Sequence, residues 1–259
     1  MSATLPEAVA STTSLYLQLV DEALPGRVSG LYLTGSVPLG DFHPQTSDID
    51  GVVILTEPLD DPDPVRSVHA ALPSKPAFDV AYLTAADLAL PPDRSKPVVF
   101  TLDGVFKEAP LGGPVSPVLW SEMARASLPV RTAPDLLVHD DQQALRDYTS
   151  ANLMSYWVPT LDSIAEHIDG RPDHETLEEW VVPWCVLGVP RLHALLTTGE
   201  IVSKTAAGRH GAARFPAWAS LCERCIDHRA GTTQTFTVRD ARETVAFGRA
   251  VVADAATAG

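Results

Sequence analysis

Between residues 35 and 50 the chain reads Gly35-Ser36-Val37-Pro38-Leu39-Gly40-Asp41-Phe42-His43-Pro44-Gln45-Thr46-Ser47-Asp48-Ile49-Asp50, and its residue types can do chemistry. Asp48 and Asp50 stand two apart at the start of an apolar run, so on a strand their carboxylates share one face while Ile49 takes the other. Two acids on one face repel. A hard divalent cation between them, Mg2+ above all, relieves the repulsion and prefers carboxylate together with phosphate oxygens. Upstream, Gly35-Ser36 ends a strand-like run, and the missing Cβ lets backbone amides and the Ser36 hydroxyl approach an anionic group closely. A cation and a polyphosphate at adjacent strand ends imply phosphoryl or nucleotidyl transfer, in which positioning and charge neutralisation supply most of the acceleration.

The surrounding text predicts what must hold these groups. Apolar spacing gives a helix over 7–24, closed by Pro25-Gly26, then strands over 30–34 and 49–55 on either side of the polar segment. A helix over 63–72 opens with Pro62 and Pro64, where first-turn amides need no helical partner. A third strand covers 77–83, and Thr84 with Asp87 forms a capping-box signal. Residues 91–117 are rich in proline and glycine, with a strand pair around 98–106. Ser116-Pro117 starts a helix to about 126, and 136–139 reads as a last edge strand. From Asp141 the strand text stops, and helices are expected over 141–168, 175–198, 203–213, 216–229 and 237–255, the last capped by Thr237 and Asp240. The expected fold class is α+β: a mixed-sheet domain over 1–140 and a helical bundle over 141–259.

The chain has 259 residues, 45% hydrophobic and 20% charged, which is ordinary globular composition and long enough for one large domain or two modest ones. Nineteen Lys and Arg against 33 Asp and Glu leave a formal charge of −14. No basic cluster answers a nucleic-acid backbone, and the acidic balance favours a cationic ligand. Three cysteines make no disulfide framework. The segment 1–10 lacks a basic n-region and no apolar run approaches 18 residues, so a monomeric cytoplasmic protein without membrane or nucleic-acid partners is expected.

The Gly-Ser pair, a spacer of about ten residues and Asp-x-Asp on a strand resemble the signature of the DNA-polymerase-β-like nucleotidyltransferases. The resemblance narrows to the aminoglycoside nucleotidyltransferases of the streptomycin/spectinomycin adenylyltransferase branch. Ser47-Asp48-Ile49-Asp50 is similar to that branch's metal motif, and Thr198-Gly199-Glu200-Ile201-Val202-Ser203-Lys204 to its Thr-Gly-Lys-Ile-x-x-Lys stretch after a long helix. The resemblance implies a polymerase-β-like N-terminal domain and transfer of AMP from ATP to a hydroxyl of a small cationic acceptor, an aminoglycoside or aminocyclitol first. By it Asp48 and Asp50 hold two Mg2+ ions, and Gly35, Ser36, Ser47, Arg191 and Lys204 meet the nucleotide. Asp79 takes the place of the family's third carboxylate, typically glutamate in this branch, as metal ligand, general base or both. The branch's drug-contacting acid falls at about Val181, and here Glu178 or Glu179, beside Trp180, stands in for it. Two other functions remain open at this point: transfer to another metabolite or to a protein, as in an antitoxin-like enzyme, and a silent nucleotide- or ligand-binding relative.

Several features have simpler readings. Cys222 and Cys225 share a helix face and read as small buried hydrophobes rather than zinc ligands, because a single Cys-x-x-Cys lacks a second pair. His43 and His210 read as surface or loop residues. Trp180 and Trp184 form one stripe on a predicted helix, more often packing than ligand contact. The acidic run 57–63 is a solvated turn.

Overall fold

The computed structural model describes residues 5–107 and 113–257; the extreme ends and part of the expected 91–117 loop lie outside the described residues. The chain separates into two compact units, Met1–Asp141 and Gln142–Gly259.

The first unit is a six-stranded mixed sheet with helices on both faces. Helix α1 (Glu7–Ala23) leads into β1 (Val28–Leu33) and β2 (Ile49–Leu55). Helix α2 (Asp63–Ala70) returns the chain to β3 (Phe78–Thr84), which runs into the short α3 (Ala85–Leu88). A hairpin of β4 (Phe100–Leu102) and β5 (Val105–Lys107), then α4 (Pro117–Arg125) and β6 (Leu128–Arg131), complete it. The strand order is β5-β4-β3-β2-β1-β6. Among the described residues only β2 and β3 pair in parallel, with Asp50 opposite Asp79; the other pairs are antiparallel. Period two sorts the side chains. Val9, Tyr16 and Val20 of α1 and Val65 of α2 pack on Leu31, Leu33, Ile49, Val53, Phe78 and Val80, while Val52, Ile54, Ala81 and Leu83 meet Leu119, Trp120 and Met123 of α4. Asp50 and Asp79 share the second face, at the edge where β2 and β3 begin.

The expected edge strand at 136–139 is displaced. The edge is β6, whose Leu128 and Pro129 lie opposite Leu33 and Tyr32 of β1. Proline removes a ladder donor, so it signals against a strand, yet an outer strand needs donors on one side only. Bidentate hydrogen bonds of 2.6 and 2.7 Å from Arg131 to Asp21 tie this edge to α1. Leu136 and Val138 pack on the second core, and the His139 amide donates to the Leu88 carbonyl. Both expected capping boxes form, at Thr84/Asp87 and Thr237/Asp240.

The second unit comprises α5 (Gln142–Asn152), a π-helical turn (Leu153–Trp157), α6 (Val158–His167), α7 (Val181–Thr198), α8 (Lys204–Arg214), α9 (Ala219–Arg229) and α10 (Val238–Ala255). The expected helix over 141–168 is thus nearly continuous but re-registered at Leu153–Trp157. Pro159 follows at once and has no amide to give the ordinary ladder. Helix α7 is the hub, packing against α5, α8, α9 and α10. By length and composition α7 is apolar enough to cross a membrane, but 61% of it is buried inside the structure. Gly188 on α7 admits the Trp157 indole, whose Cη2 lies 2.5 Å from where a Cβ would stand. Cys222 and Cys225 are fully buried, and burial pushes the Cys222 thiol up to about 11.

The expected start of that helix at 175 is corrected to Val181. Residues 175–177 pair instead with the strand-like approach to α10: the Leu177 amide donates to the Phe236 carbonyl and the Val238 amide to the Glu175 carbonyl. Glu178, Glu179 and Trp180 therefore precede the helix, Trp180 as its N-cap. His210 is also corrected. It lies on α8, with Nε2 2.8 Å from Nδ1 of buried His193, whose own Nε2 is 2.8 Å from Asp254 Oδ2. Arg214 donates to both oxygens of that carboxylate.

A buried polar run crosses the first core. The Tyr16 hydroxyl lies 3.0 Å from the Tyr82 hydroxyl, which is 2.7 Å from His69 Nε2. Each hydroxyl can donate to one neighbour while accepting from the other, so the run can be satisfied with a neutral His69 ring. Burial accordingly lowers the His69 pKa from 6.5 to about 4. A ring with a depressed folded pKa favours folding fully above the unfolded value, and that advantage is lost as pH falls from 6.5 toward 4. Unfolding free energy should therefore drop over this window by up to about 3 kcal/mol through His69. Denaturant titrations from pH 7 to pH 4 check this, with a shallower decline expected for His69→Gln.

Candidate active site

Four pieces of chain converge on the edge where β2 and β3 begin. The first is the β1–β2 connection. The Thr34 amide donates to the Asp50 carbonyl at 2.9 Å, extending the ladder one step past β1. Gly35 then turns with φ +63°, and a Cβ on it would stand 2.6 Å from Asp50 Oδ2. Only glycine permits both that backbone and that approach. A tight turn follows, in which the Asp41 amide donates to the Ser36 carbonyl at 2.9 Å. The Ser36 Oγ is buried and has no hydrogen-bond partner among the described residues, which leaves a hydroxyl beside the carboxylate strands for a ligand atom.

The second piece is the run into β2. The Ser47 amide donates to the His43 carbonyl and the His43 amide to Ser47 Oγ, at 2.8 and 3.1 Å. Ser47 thus closes its own loop. His43 Nε2 pairs with buried Asp41 at 3.2 Å. This brace sets the exposed Asp48 just ahead of β2.

The third piece is β3 and the fourth the β4–β5 turn. Asp103 and Gly104 have φ of +52° and +70°, the conformation of a two-residue type I′ hairpin loop. Its amides point at Asp79: the Asp103 amide donates to Oδ2 at 2.7 Å and the Gly104 amide to Oδ1 at 2.9 Å. Buried Thr101 bridges the strands below, donating to the Phe78 carbonyl and accepting from the Val80 amide, both at 2.8 Å. Burial raises the Asp79 pKa, the two amides act in the opposite direction, and the Asp103 charge adds to the rise.

Asp48, Asp79 and Asp103 each offer a carboxylate oxygen within 4.8 Å of the others. Their oxygens are the donor set that a hard divalent cation takes. Asp50 is the strand neighbour of Asp79, with its carboxylate against Gly35. Asp103 escaped the reading of the sequence, although Asp103-Gly104 between apolar residues is itself a strong hairpin signal.

The remaining expected residues belong to the second unit. Arg191 on α7 donates to the Val202 carbonyl at 3.3 Å, holding the segment before α8. Ser203 caps α8, accepting from the Ala206 amide, and exposed Lys204 is its first residue. Glu178, Glu179 and Trp180 are exposed, and Glu178 and Trp180 line a cleft of about 710 Å³.

No protein-family model matches the sequence, and no curated protein matches it. Among solved structures, the chain is similar to spectinomycin adenyltransferase AAD(9) from Enterococcus faecialis with ATP and spectinomycin. The TM-score is 0.65 at 14% identity, with 94% of this chain and 99% of that chain covered. The chain has the nucleotidyltransferase fold. The acidic cluster lies where the central strands β2 and β3 begin, with Gly35 and Ser36 beside it.

Three converging acids repel, and a cation should relieve that repulsion. Asp103→Asn is expected to raise the metal-free melting temperature by about 2–4 °C, the equivalent of about 1 kcal/mol at this size. Millimolar Mg2+ or Mn2+ should stabilise the original protein more than the variant. Thermal melts with chelator and with added cation check both expectations.

Proposed function

We propose that the protein transfers AMP from ATP to a hydroxyl group of a small cationic acceptor, with release of pyrophosphate. The observation that carries this reading is the unpartnered, buried Ser36 hydroxyl, set on a loop that passes Asp50 where a Cβ would stand 2.6 Å from its carboxylate. A hydroxyl and a side-chain-free backbone beside converging acids suit a polyphosphate accompanied by its cation. The likeness in fold to an adenyltransferase solved with ATP and spectinomycin supports the same reaction class, and it makes an aminoglycoside or aminocyclitol the leading acceptor.

In this reading Asp48, Asp50 and Asp79 hold Mg2+, two ions in all, with Asp103 beside them. Bound there, the metal supplies charge neutralisation on the phosphates. Gly35 and Ser36 seat the phosphate chain, Ser47 braces the loop that carries it, and Lys204 and Arg191 add positive charge toward the nucleotide. The acceptor hydroxyl attacks the α-phosphorus as the bond to the bridging oxygen breaks, and pyrophosphate leaves with that electron pair. Asp79 takes the hydroxyl proton. The turn amides from Asp103 and Gly104 hold its orientation. Glu178, Glu179 and Trp180 bind the acceptor through charge and ring face.

The test is pyrophosphate release by purified protein given ATP, Mg2+ and a panel of aminoglycosides and aminocyclitols that includes spectinomycin. Asp48→Ala and Asp50→Ala should each lower the rate on the order of a thousandfold while leaving the fold intact by circular dichroism. Near-normal turnover in either variant would remove the metal role. Nucleotide binding without release for any acceptor would favour a silent relative.

A further inference from the structure

The β4–β5 hairpin does not close its ladder with β3 in the ordinary way. Ala81 faces Phe100, and the Tyr82 amide donates to the Val99 carbonyl at 3.0 Å. In that antiparallel register the next rungs toward the turn run from the Val80 amide to the Thr101 carbonyl and from the Asp103 amide to the Phe78 carbonyl. The pairing stops short of them, and one side chain takes over. The Val80 amide donates to Thr101 Oγ1, and that hydroxyl donates to the Phe78 carbonyl, both at 2.8 Å. The Asp103 amide, its place on Phe78 filled, donates to Asp79 Oδ2 at 2.7 Å.

A single hydroxyl thus stands in for two backbone groups. It accepts in place of the Thr101 carbonyl and donates in place of the Asp103 amide, so the strand groups on either side of Asp79 are satisfied without the turn. Thr101 is buried at 4% exposure, where a missing partner is costly. Only serine and threonine join a strong donor and a strong acceptor in one atom this near the backbone. Freed of β3, the turn at Asp103 and Gly104, left-handed at both residues, lays one amide on each oxygen of Asp79. It also carries the Asp103 carboxylate to within 4.8 Å of Asp48 and Asp79 oxygens.

We propose that Thr101 is a positioning residue for the acidic site. Its hydroxyl holds the Asp103 amide off Phe78 and on Asp79, and so sets where the Asp79 and Asp103 oxygens stand toward a divalent cation. The Asp103 amide has one hydrogen, and the two placements compete for it. Without the hydroxyl, the ordinary rung from Asp103 to Phe78 satisfies a buried carbonyl, and Asp79 loses a donor. The assignment rests on nucleotidyl transfer only in taking the cation to be the one that accompanies the nucleotide.

Thr101→Val keeps the shape and deletes the hydroxyl, and Thr101→Ser keeps the hydroxyl. Mn2+ binding to the full chain without nucleotide is read from the EPR signal of the free ion. Thr101→Val is expected to weaken Mn2+ about tenfold and Thr101→Ser about twofold at most, as for groups that orient metal ligands. Thr149→Val, which removes a buried hydroxyl bonded to the Leu145 carbonyl in the second unit, should leave Mn2+ binding unchanged. The Asp103 amide proton, downfield while it meets a carboxylate, should move upfield in metal-free Thr101→Val and stay in place in Thr101→Ser. If Thr101→Val does not fold, Thr101→Cys, with a weak donor and acceptor, takes its place with a smaller loss in the same direction. Unchanged Mn2+ affinity or an unmoved Asp103 amide in the folded hydroxyl-free variant, equal losses in Thr101→Val and Thr101→Ser, or no Mn2+ binding by the original protein at millimolar concentration overturns the proposal. Pyrophosphate release alongside an unchanged affinity rejects Thr101 and keeps nucleotidyl transfer; weakened Mn2+ in Thr101→Val, with no release by the original protein for any acceptor, does the reverse.

Discussion

Like charge at close range governs the first unit. Carboxylate oxygens of Asp48, Asp79 and Asp103 lie within 4.8 Å of one another, an arrangement that disfavours folding unless other groups hold it. The chain holds it with backbone. Parallel pairing of β2 and β3 sets Asp50 opposite Asp79, and a left-handed two-residue turn aims two amides at Asp79. Gly35 lets the preceding loop lie against Asp50. Little of this depends on long flexible side chains, so the charges are positioned before any ligand arrives.

Local signals made much of this architecture legible. Ile49–Leu55 reads as a strand because it is apolar, β-branched and bounded by polar text, and both capping boxes declare themselves through an acid three residues past a threonine. What stayed hidden depends on distant partners or on a residue with two meanings. Pro129 argues against a strand until the strand is known to be an edge. Residues 175–177 look helical because the approach to α10, which captures them, is some sixty positions away.

The site divides in the same way. Gly35, Ser36, Asp48 and Asp50 announce themselves by spacing, and Asp79 by its place on the next strand. Asp103 lies on a hairpin tip in proline- and glycine-rich text, where the turn is readable but its orientation toward β3 is not. Trp180 and Trp184 are neighbours as their spacing suggests, whereas Tyr156, which meets Trp184, sits in the π-helical turn Leu153–Trp157 far off in sequence. A π-helical turn is decided by backbone packing more than by any residue pattern.

The bonded row from Arg214 through Asp254 and His193 to His210 settles something that atomic positions alone leave open. An ionised Asp254 only accepts, so His193 carries hydrogen on Nε2; with a neutral His193 its Nδ1 accepts and His210 donates from Nε2, and with a protonated His193 that order reverses. The hydrogen position on His210 is thus coupled, through His193 and Asp254, to a guanidinium two side chains away. Helices α7, α8 and α10 are therefore joined by one hydrogen-bonded row that is anchored at the Arg214–Asp254 end.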